Sequence, residues 1–416
     1  MDLSLPRGVK DFDVDEAYPL LEIIRNIERV YRAFGFQPLI TPNIETLNVL
    51  NSKFYGSDSL NEIFSISNDQ LGLRYDHTVP LARYIASRKD LPMPFKRYAI
   101  GYSWRKEEPQ FMREREFIQA DVDIVGSKLL ISDAEVIAAS SLGLESAGIE
   151  EYEIHLNNRI LLNEIISNFN VKKENEKQVI RLIDKIEKKE REEIIKELSQ
   201  FTDRAEELIE YVLDNKGNDE ILARISNDIK NKEVANQIAK LLDILKSYSL
   251  KGDIIIDLSL ARGLDYYTSF VWEFKIKQGD KKMPSIGGGG RYDSLISNFA
   301  NRDIPAVGSS IGVNRLYSIL NKKEFMKRVY LIYIKDDYLK YAINIANILR
   351  GNNINVDLAV SDKSLSKQLE YASNTNANYV IIIGEQEVNE NKIKLRNMVT
   401  GEEELISLDD AINKLR

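Results

Sequence analysis

Apolar residues recur at helical spacing early in the chain. Leu20, Ile23, Ile24, Ile27, Val30, Tyr31 and Phe34 predict a helix over residues 18–34, with Pro19 in its first turn and Gly35 as its stop. Residues 36–42 contain Pro38 and Pro42 and read as extended. The period then changes to two. Residues 63–66 and 72–75 predict a hairpin turning over 67–70. Residues 95–107 and 117–126 predict a longer hairpin around a charged loop, and on its returning strand Gln119, Asp121 and Asp123 fall on one face. Ser132 and Glu135 have capping-box spacing at the start of another helix. Residues 151–156 and 254–259 read as strands. Between them, from about 162 to 250, glycine is nearly absent and mixed charges follow helical spacing, which predicts helices over 174–198, 203–213 and 232–248. From about Lys327 strands (329–334, 356–360, 379–383) alternate with helices (338–350, 365–373) and end in a hairpin over 392–407. That alternation predicts a small α/β domain with a mostly parallel core sheet.

Composition narrows the class. At 416 residues, with 43% hydrophobic and 29% charged residues, the chain reads as a soluble protein of two or three domains. No apolar run approaches the ~20 residues that span a bilayer. The N-terminus lacks a basic region followed by an apolar core, so a cytoplasmic location and no membrane partner are expected. Cysteine is absent and only His77 and His155 occur, so no structural metal is expected. A net charge of −8 argues against a protein that coats nucleic acid indiscriminately, but leaves room for a local basic surface.

Several stretches carry candidate chemistry. Arg262-Gly263-Leu264-Asp265-Tyr266-Tyr267-Thr268 leads into an alternating strand, Ser269 to Phe274. Its arginine offers an anion-binding fork and its tyrosines two polar tips; the plainer reading is a turn before an edge strand. Asp76-His77-Thr78 places a carboxylate two residues before a hydroxyl. The pair can grip an ammonium group, or Asp76 can cap the following helix. The hairpin with Arg105, Glu107 and Phe117 suits a triphosphate and a base, or a surface ladder of charges. Gly287 to Gly290 admit close backbone approach to a ligand, or form a flexible loop. Arg315 sits where a strand, residues 305–312, runs into a helix.

Taken together, these stretches resemble the histidyl-tRNA synthetases, a class II aminoacyl-tRNA synthetase family, with a substrate loop similar to its archaeal and eukaryotic form. The resemblance spans nearly the whole chain and is most specific at 262–268, 287–293 and 105–123. It implies a class II core: an α+β domain on an antiparallel sheet with flanking helices, interrupted by a helical insertion and followed by a C-terminal α/β domain that resembles an anticodon-binding domain. The expected division is 1–160 and 251–325 for the core, 161–250 for the insertion and 326–416 for the last domain. The implied reaction joins L-histidine to tRNA(His) through histidyl-adenylate, consuming ATP with Mg²⁺, in a homodimer. By the same resemblance Arg105 and Arg262 are the catalytic arginines. Asp76, Thr78 and Gln119 hold the amino group, and Asp123, Tyr266 and Tyr267 read the imidazole. His77 lies among these histidine-binding residues without a catalytic role. Arg105, Glu107, Phe117, Arg262 and Arg315 bind ATP. Glu108 and Asn314 depart from the family pattern, which commonly has arginine and an acid there. Two other readings share the core: a catalytically silent paralogue regulating histidine biosynthesis, and a module that senses histidine or tRNA.

Overall fold

A computed structural model describes residues 2–52, 62–66, 70–186, 189–261, 267–277, 283–300 and 302–416. The chain divides into two compact units, residues 1–12 with 19–322, and residues 13–18 with 323–416.

The larger unit is built on one sheet. Among the described residues its strands are, in chain order, β1 (Gln37–Pro38), β2 (Phe95–Trp104), β3 (Glu116–Val125), β4 (Tyr152–Asn158), β5 (Lys216–Gly217), β6 (Asp253–Asp257), β7 (Phe270–Ile276), β8 (Gly287–Arg291) and β9 (Ala306–Gly312). Their spatial order is β1-β2-β3-β9-β8-β7-β4-β6-β5. Neighbours are antiparallel except β1–β2 and β4–β6. This is the expected α+β core with flanking helices. The first predicted hairpin joins a separate three-stranded sheet (Ile44–Thr46, Ser65–Ile66, Leu71–Leu73), and its turn at 67–69 lies outside the described residues.

Alternation on β3 explains how the sheet is covered. Ile118, Ala120, Val122 and Ile124 join a core with Leu20, Ile23, Ile27 and Tyr31 of the helix Val14–Ala33 and Val136 and Ile137 of the helix Leu130–Ala147. The opposite positions, Gln119, Asp121 and Asp123, are buried as well. A strand covered on both faces usually reads apolar throughout. Here one buried face is polar, and polar groups taken from water need partners.

The glycine run is a strand rather than a loop. Gly287 to Gly290 are buried between β7 and β9 and hydrogen-bonded on both sides. Their neighbours need the space. A Cβ on Gly289 would stand 2.0 Å from the Gly308 carbonyl oxygen and 2.8 Å from the Trp272 ring. Gly289→Ala is therefore expected to destabilise the protein by about 1–3 kcal/mol or more, since overpacking forces backbone shifts. Urea unfolding reads this directly, and an unchanged midpoint would contradict it.

Three local expectations shift. The first helix begins at Val14, so Pro19 is its sixth residue, with Asp15 and Glu16 in the first turn. The helix expected at 174–198 is two helices, Glu176–Ile183 and Arg191–Leu198. The Ser132–Glu135 signature caps nothing: that helix starts at Leu130, Ser132 donates to Ser127 Oγ at 2.6 Å, and buried Asp133 pairs with Arg291 of β8. The helical segment after β4 shares the sheet's core, with Leu161, Ile165, Leu208, Ile238 and Leu241 in one cluster with Ile154 and Trp272.

In the smaller unit β10 (Val329–Tyr333), β11 (Val356–Leu358), β12 (Tyr379–Ile383), β13 (Ile393–Asn397) and β14 (Glu403–Ile406) lie in the order β11-β10-β12-β13-β14. The first three are parallel and the last two close an antiparallel hairpin. The helices Leu339–Gly351 and Leu365–Asn374 match the expected ones, while Glu385–Glu390 and Leu408–Leu415 were not legible. No described helix is long and apolar enough to cross a membrane.

Candidate active site

The polar half of β3 forms a floor. The register places Arg97 beside Asp123 and Gly101 beside Gln119 on β2. On β9 Gly308, Ser310 and Gly312 stand beside Asp123, Asp121 and Gln119. Gly290 of β8 pairs with Gly308. On the β9 side the acids thus stand beside small residues, and the space over Gly308 and Gly290 is taken up by the side chains of Asp123 and Tyr267.

Asp123 is held from two sides. Arg97 Nη2 lies 2.7 Å from Asp123 Oδ2, and the Tyr292 hydroxyl donates to Oδ1. Gly308 makes this possible, because a Cβ there would stand 2.0 Å from Oδ1. Burial pushes the Asp123 carboxyl up, against the pull of Arg97 and the Tyr292 hydrogen bond. Asp121 is pushed up to about 7, again mainly by burial, with Arg97 pulling down and Asp123 pushing further up.

The loop before the helix Thr78–Ser87 closes over this floor. Asp76 Oδ1 accepts from the backbone N–H groups of Thr78 and Val79, both at 3.0 Å, so Asp76 does cap the helix. Its charge is also felt at Asp121 and Asp123, which places it beside them. His77 is buried with Nε2 3.2 Å from the Gly101 carbonyl oxygen, and its own carbonyl accepts from Arg97 Nη2 at 3.1 Å. Burial, then Arg74 and Arg97, lower its pKa to about 3, so this imidazole is neutral. Tyr267 lies over Gly290, where a Cβ would come within 2.7 Å of its ring. Asp76, Asp121 and Asp123 act on two buried guanidiniums, Arg74 and Arg97.

Beside the floor opens a cleft. Arg105, Glu107, Phe117, Gln119 and Arg315 line it, five of the residues singled out in the sequence. Arg105 stacks on Phe117, its guanidinium carbon 5.1 Å from the ring centre, so two expected nucleotide contacts currently touch each other. Arg315 reaches across with Nε 3.1 Å from the Met112 carbonyl oxygen. Glu107 is paired with Arg113 at 2.6 Å. The two departures have local explanations. Asn314 accepts from Ile118 N–H at 2.9 Å and donates to Glu114, a neighbour that an acid at 314 would repel. Glu108 pairs with Arg7 and Arg115, at 3.1 and 3.2 Å.

Arg262 and Tyr266 lie outside the described residues. The other expected residues, Asp76, His77, Thr78, Arg105, Glu107, Phe117, Gln119, Asp123, Tyr267 and Arg315, fall on the floor, its covering loop or the cleft wall. Sequence reasoning gave no role to Arg97 or Tyr292, and placed Asp121 on the polar face of its strand without assigning it one. Arg97 could have been found by counting back from the hairpin loop, which sets it opposite Asp123. Tyr292 lay within the glycine-rich motif but had no visible partner, since Asp123 is 169 residues away.

Comparison with known proteins agrees with this geometry. The family described as histidyl-tRNA synthetase matches residues 8–316, and the anticodon binding domain matches residues 328–416. A histidine–tRNA ligase of Clostridium tetani is 36% identical, covering 96% of each chain. One from Nanoarchaeum equitans is 35% identical, covering 97% of each. The bacterial and archaeal relatives are thus about equally similar. The crystal structure of histidyl-tRNA synthetase from Nostoc sp. PCC 7120 superposes with a TM-score of 0.88 at 28% identity, covering 100% of this chain and 99% of the other.

Proposed function

The chain belongs to the histidyl-tRNA synthetase family and activates L-histidine for attachment to tRNA(His), and we propose that the floor of β3 and the adjoining cleft carry out the activation. The observation that supports this most is the buried polar face of β3, with Gln119, Asp121 and Asp123, beside a cleft lined by Arg105 and Arg315. The ammonium group and imidazole of histidine suit the first and a triphosphate the second.

ATP enters as its Mg²⁺ complex. The histidine carboxylate attacks the α-phosphorus, pyrophosphate leaves, and the tRNA ribose hydroxyl later displaces AMP. Each step transfers between bound groups, so catalysis is positioning plus stabilisation of charge at phosphorus. Asp76, Thr78 and Gln119 hold the α-ammonium group. Asp123, fixed by Arg97 and Tyr292, reads the imidazole together with Tyr266 and Tyr267, and His77 adds a neutral wall. A site that pairs both ring nitrogens rejects isosteres, which leave its buried groups unpaired. Arg105 and Arg262 meet the charge at the α-phosphate, Arg315 takes the tail, and Phe117 receives adenine once Arg105 swings to the phosphate. Glu107 stays with this ATP-binding set. The unit beyond residue 322 approaches the anticodon, and the protein works as a cytoplasmic homodimer.

The test is ATP–pyrophosphate exchange with each amino acid in turn. Exchange with histidine alone is expected. Histidine binding with no exchange would overturn the reading in favour of a sensing or regulatory role.

A further inference from the structure

Tyr267 and Asp123 stand side by side on one face of the sheet. Gly290 of β8 and Gly308 of β9 are register partners. Directly opposite residues of an antiparallel pair point to the same face, with their Cβ positions about 4.5–5.5 Å apart. A Cβ on Gly308 would stand 2.0 Å from Asp123 Oδ1, and one on Gly290 would stand 2.7 Å from the Tyr267 ring. The two side chains therefore occupy neighbouring places on that face.

One turn, Arg291-Tyr292-Asp293, holds both of them. The Tyr292 hydroxyl donates to Asp123 Oδ1. The residues on either side of Tyr292 hold Thr268, which directly follows Tyr267. Thr268 N–H donates to the Arg291 carbonyl oxygen at 2.7 Å. The Thr268 hydroxyl donates to the same oxygen at 3.2 Å and accepts from the Asp293 N–H at 3.3 Å. Those directions are forced, because a carbonyl only accepts and a backbone N–H only donates. The turn is itself anchored. The Asp293 carboxylate accepts from the Ala306 N–H at 3.0 Å and from Arg291 Nη1 at 3.3 Å, and Arg291 Nε donates to buried Asp133 at 3.1 Å. On the other side Ser269 is tied to the end of β4. Its carbonyl oxygen accepts from the Arg159 N–H at 2.8 Å and its hydroxyl from Asn158 Nδ2 at 3.2 Å.

We propose that Thr268 is a positioning residue: its hydroxyl, clasped between Arg291 and Asp293, holds Tyr267 at a fixed spacing from Asp123, so that the two groups read one imidazole together. This rests on the imidazole-reading role given to Tyr267 and Asp123 above, and adds the residue that sets the distance between them. The two nitrogens of an imidazole lie at a fixed separation. A site that pairs both rejects isosteres only while its two readers keep their places. Thr268→Val keeps the shape of the side chain but strips the Asp293 N–H of its acceptor, so the residue next to Tyr267 loses its grip on the turn.

The experiment is a double-mutant cycle on the full-length protein, read by calorimetry with L-histidine and by the KM for ATP in pyrophosphate exchange. Thr268→Val should weaken histidine binding about threefold to tenfold, the scale of a neutral hydrogen bond, and leave the KM for ATP unchanged. Thr268→Ser keeps the hydroxyl and should bind histidine within about twofold of the unaltered protein. In a Tyr267→Phe background, Thr268→Val should add less than about twofold, because the group it positions is already gone. Thr268→Ala decides the matter if Thr268→Val does not fold. Full additivity of the two substitutions, an equal rise in the KM for ATP, or unchanged histidine binding by Thr268→Val would overturn the proposal. Tyr267→Phe binding histidine as tightly as the unaltered protein would instead remove the reading on which the proposal stands, so the two failures are separable.

Discussion

Arg105→Ala is expected to slow histidine-dependent pyrophosphate exchange by more than about 100-fold, the scale of losing a key electrostatic donor. The reason lies in how loosely this guanidinium is held. Its best protein contacts are an Nε hydrogen bond to the Tyr75 carbonyl oxygen at 3.4 Å and the stacking on Phe117. It is only partly buried, so truncation leaves no charge stranded in the interior. Stability should therefore change by no more than about 1 kcal/mol. The loss should appear in kcat more than in the KM for ATP, because charge at the α-phosphate is largest in the transition state. Exchange within a few-fold of the unaltered protein, with the fold intact, would remove Arg105 from the mechanism.

Arg97→Met should act in the opposite manner, through stability first. Arg97 is 1% exposed and pairs with Asp123, itself 2% exposed. Breaking a buried pair from one side leaves an uncompensated charge and typically costs about 3–5 kcal/mol. The pH dependence has a definite sign. Burial already raises Asp121 and Asp123, and Arg97 is what pulls both down. A carboxyl with a raised folded pKa costs stability above that pKa, and the cost disappears as pH falls and the group takes up its proton. Without Arg97 both acids protonate at higher pH than before. The deficit should be largest near pH 8 and shrink as pH falls through about 7 and below. Urea unfolding at pH 8 and pH 5 reads it. Equal deficits at the two values would mean that lost packing, not stranded charge, is what Arg97 prevents.

These two arginines were not equally legible. Arg105 stands at the end of a strand in a recognisable charged cluster, so its chemistry could be read locally. Arg97 is one basic residue in Phe95–Trp104, and only its partner 26 positions away gives it meaning. The small-residue ring around the floor was similarly hidden. Glycine is depleted in strands, so Gly287 to Gly290 suggested a loop or a ligand approach. In fact they admit Trp272 on one face and Tyr267 on the other. Asn314 seemed a loss of charge near the nucleotide until Glu114 and the Ile118 amide were found beside it.

What the chain determines by itself is periodic or local. Apolar spacing set the main helices, alternation set β2 and β3 and the parallel strands near the C-terminus, and short motifs named the family and most of its expected contacts. Such features need only neighbours within a few residues. What only the tertiary structure decided is which polar groups are left unpaired. Burial of Gln119, Asp121 and Asp123 and the identity of the partners Arg97, Tyr292 and Ser310 depend on strands brought together from 97 to 310. Desolvation is a property of everything that surrounds a group, and no stretch of sequence contains that surrounding.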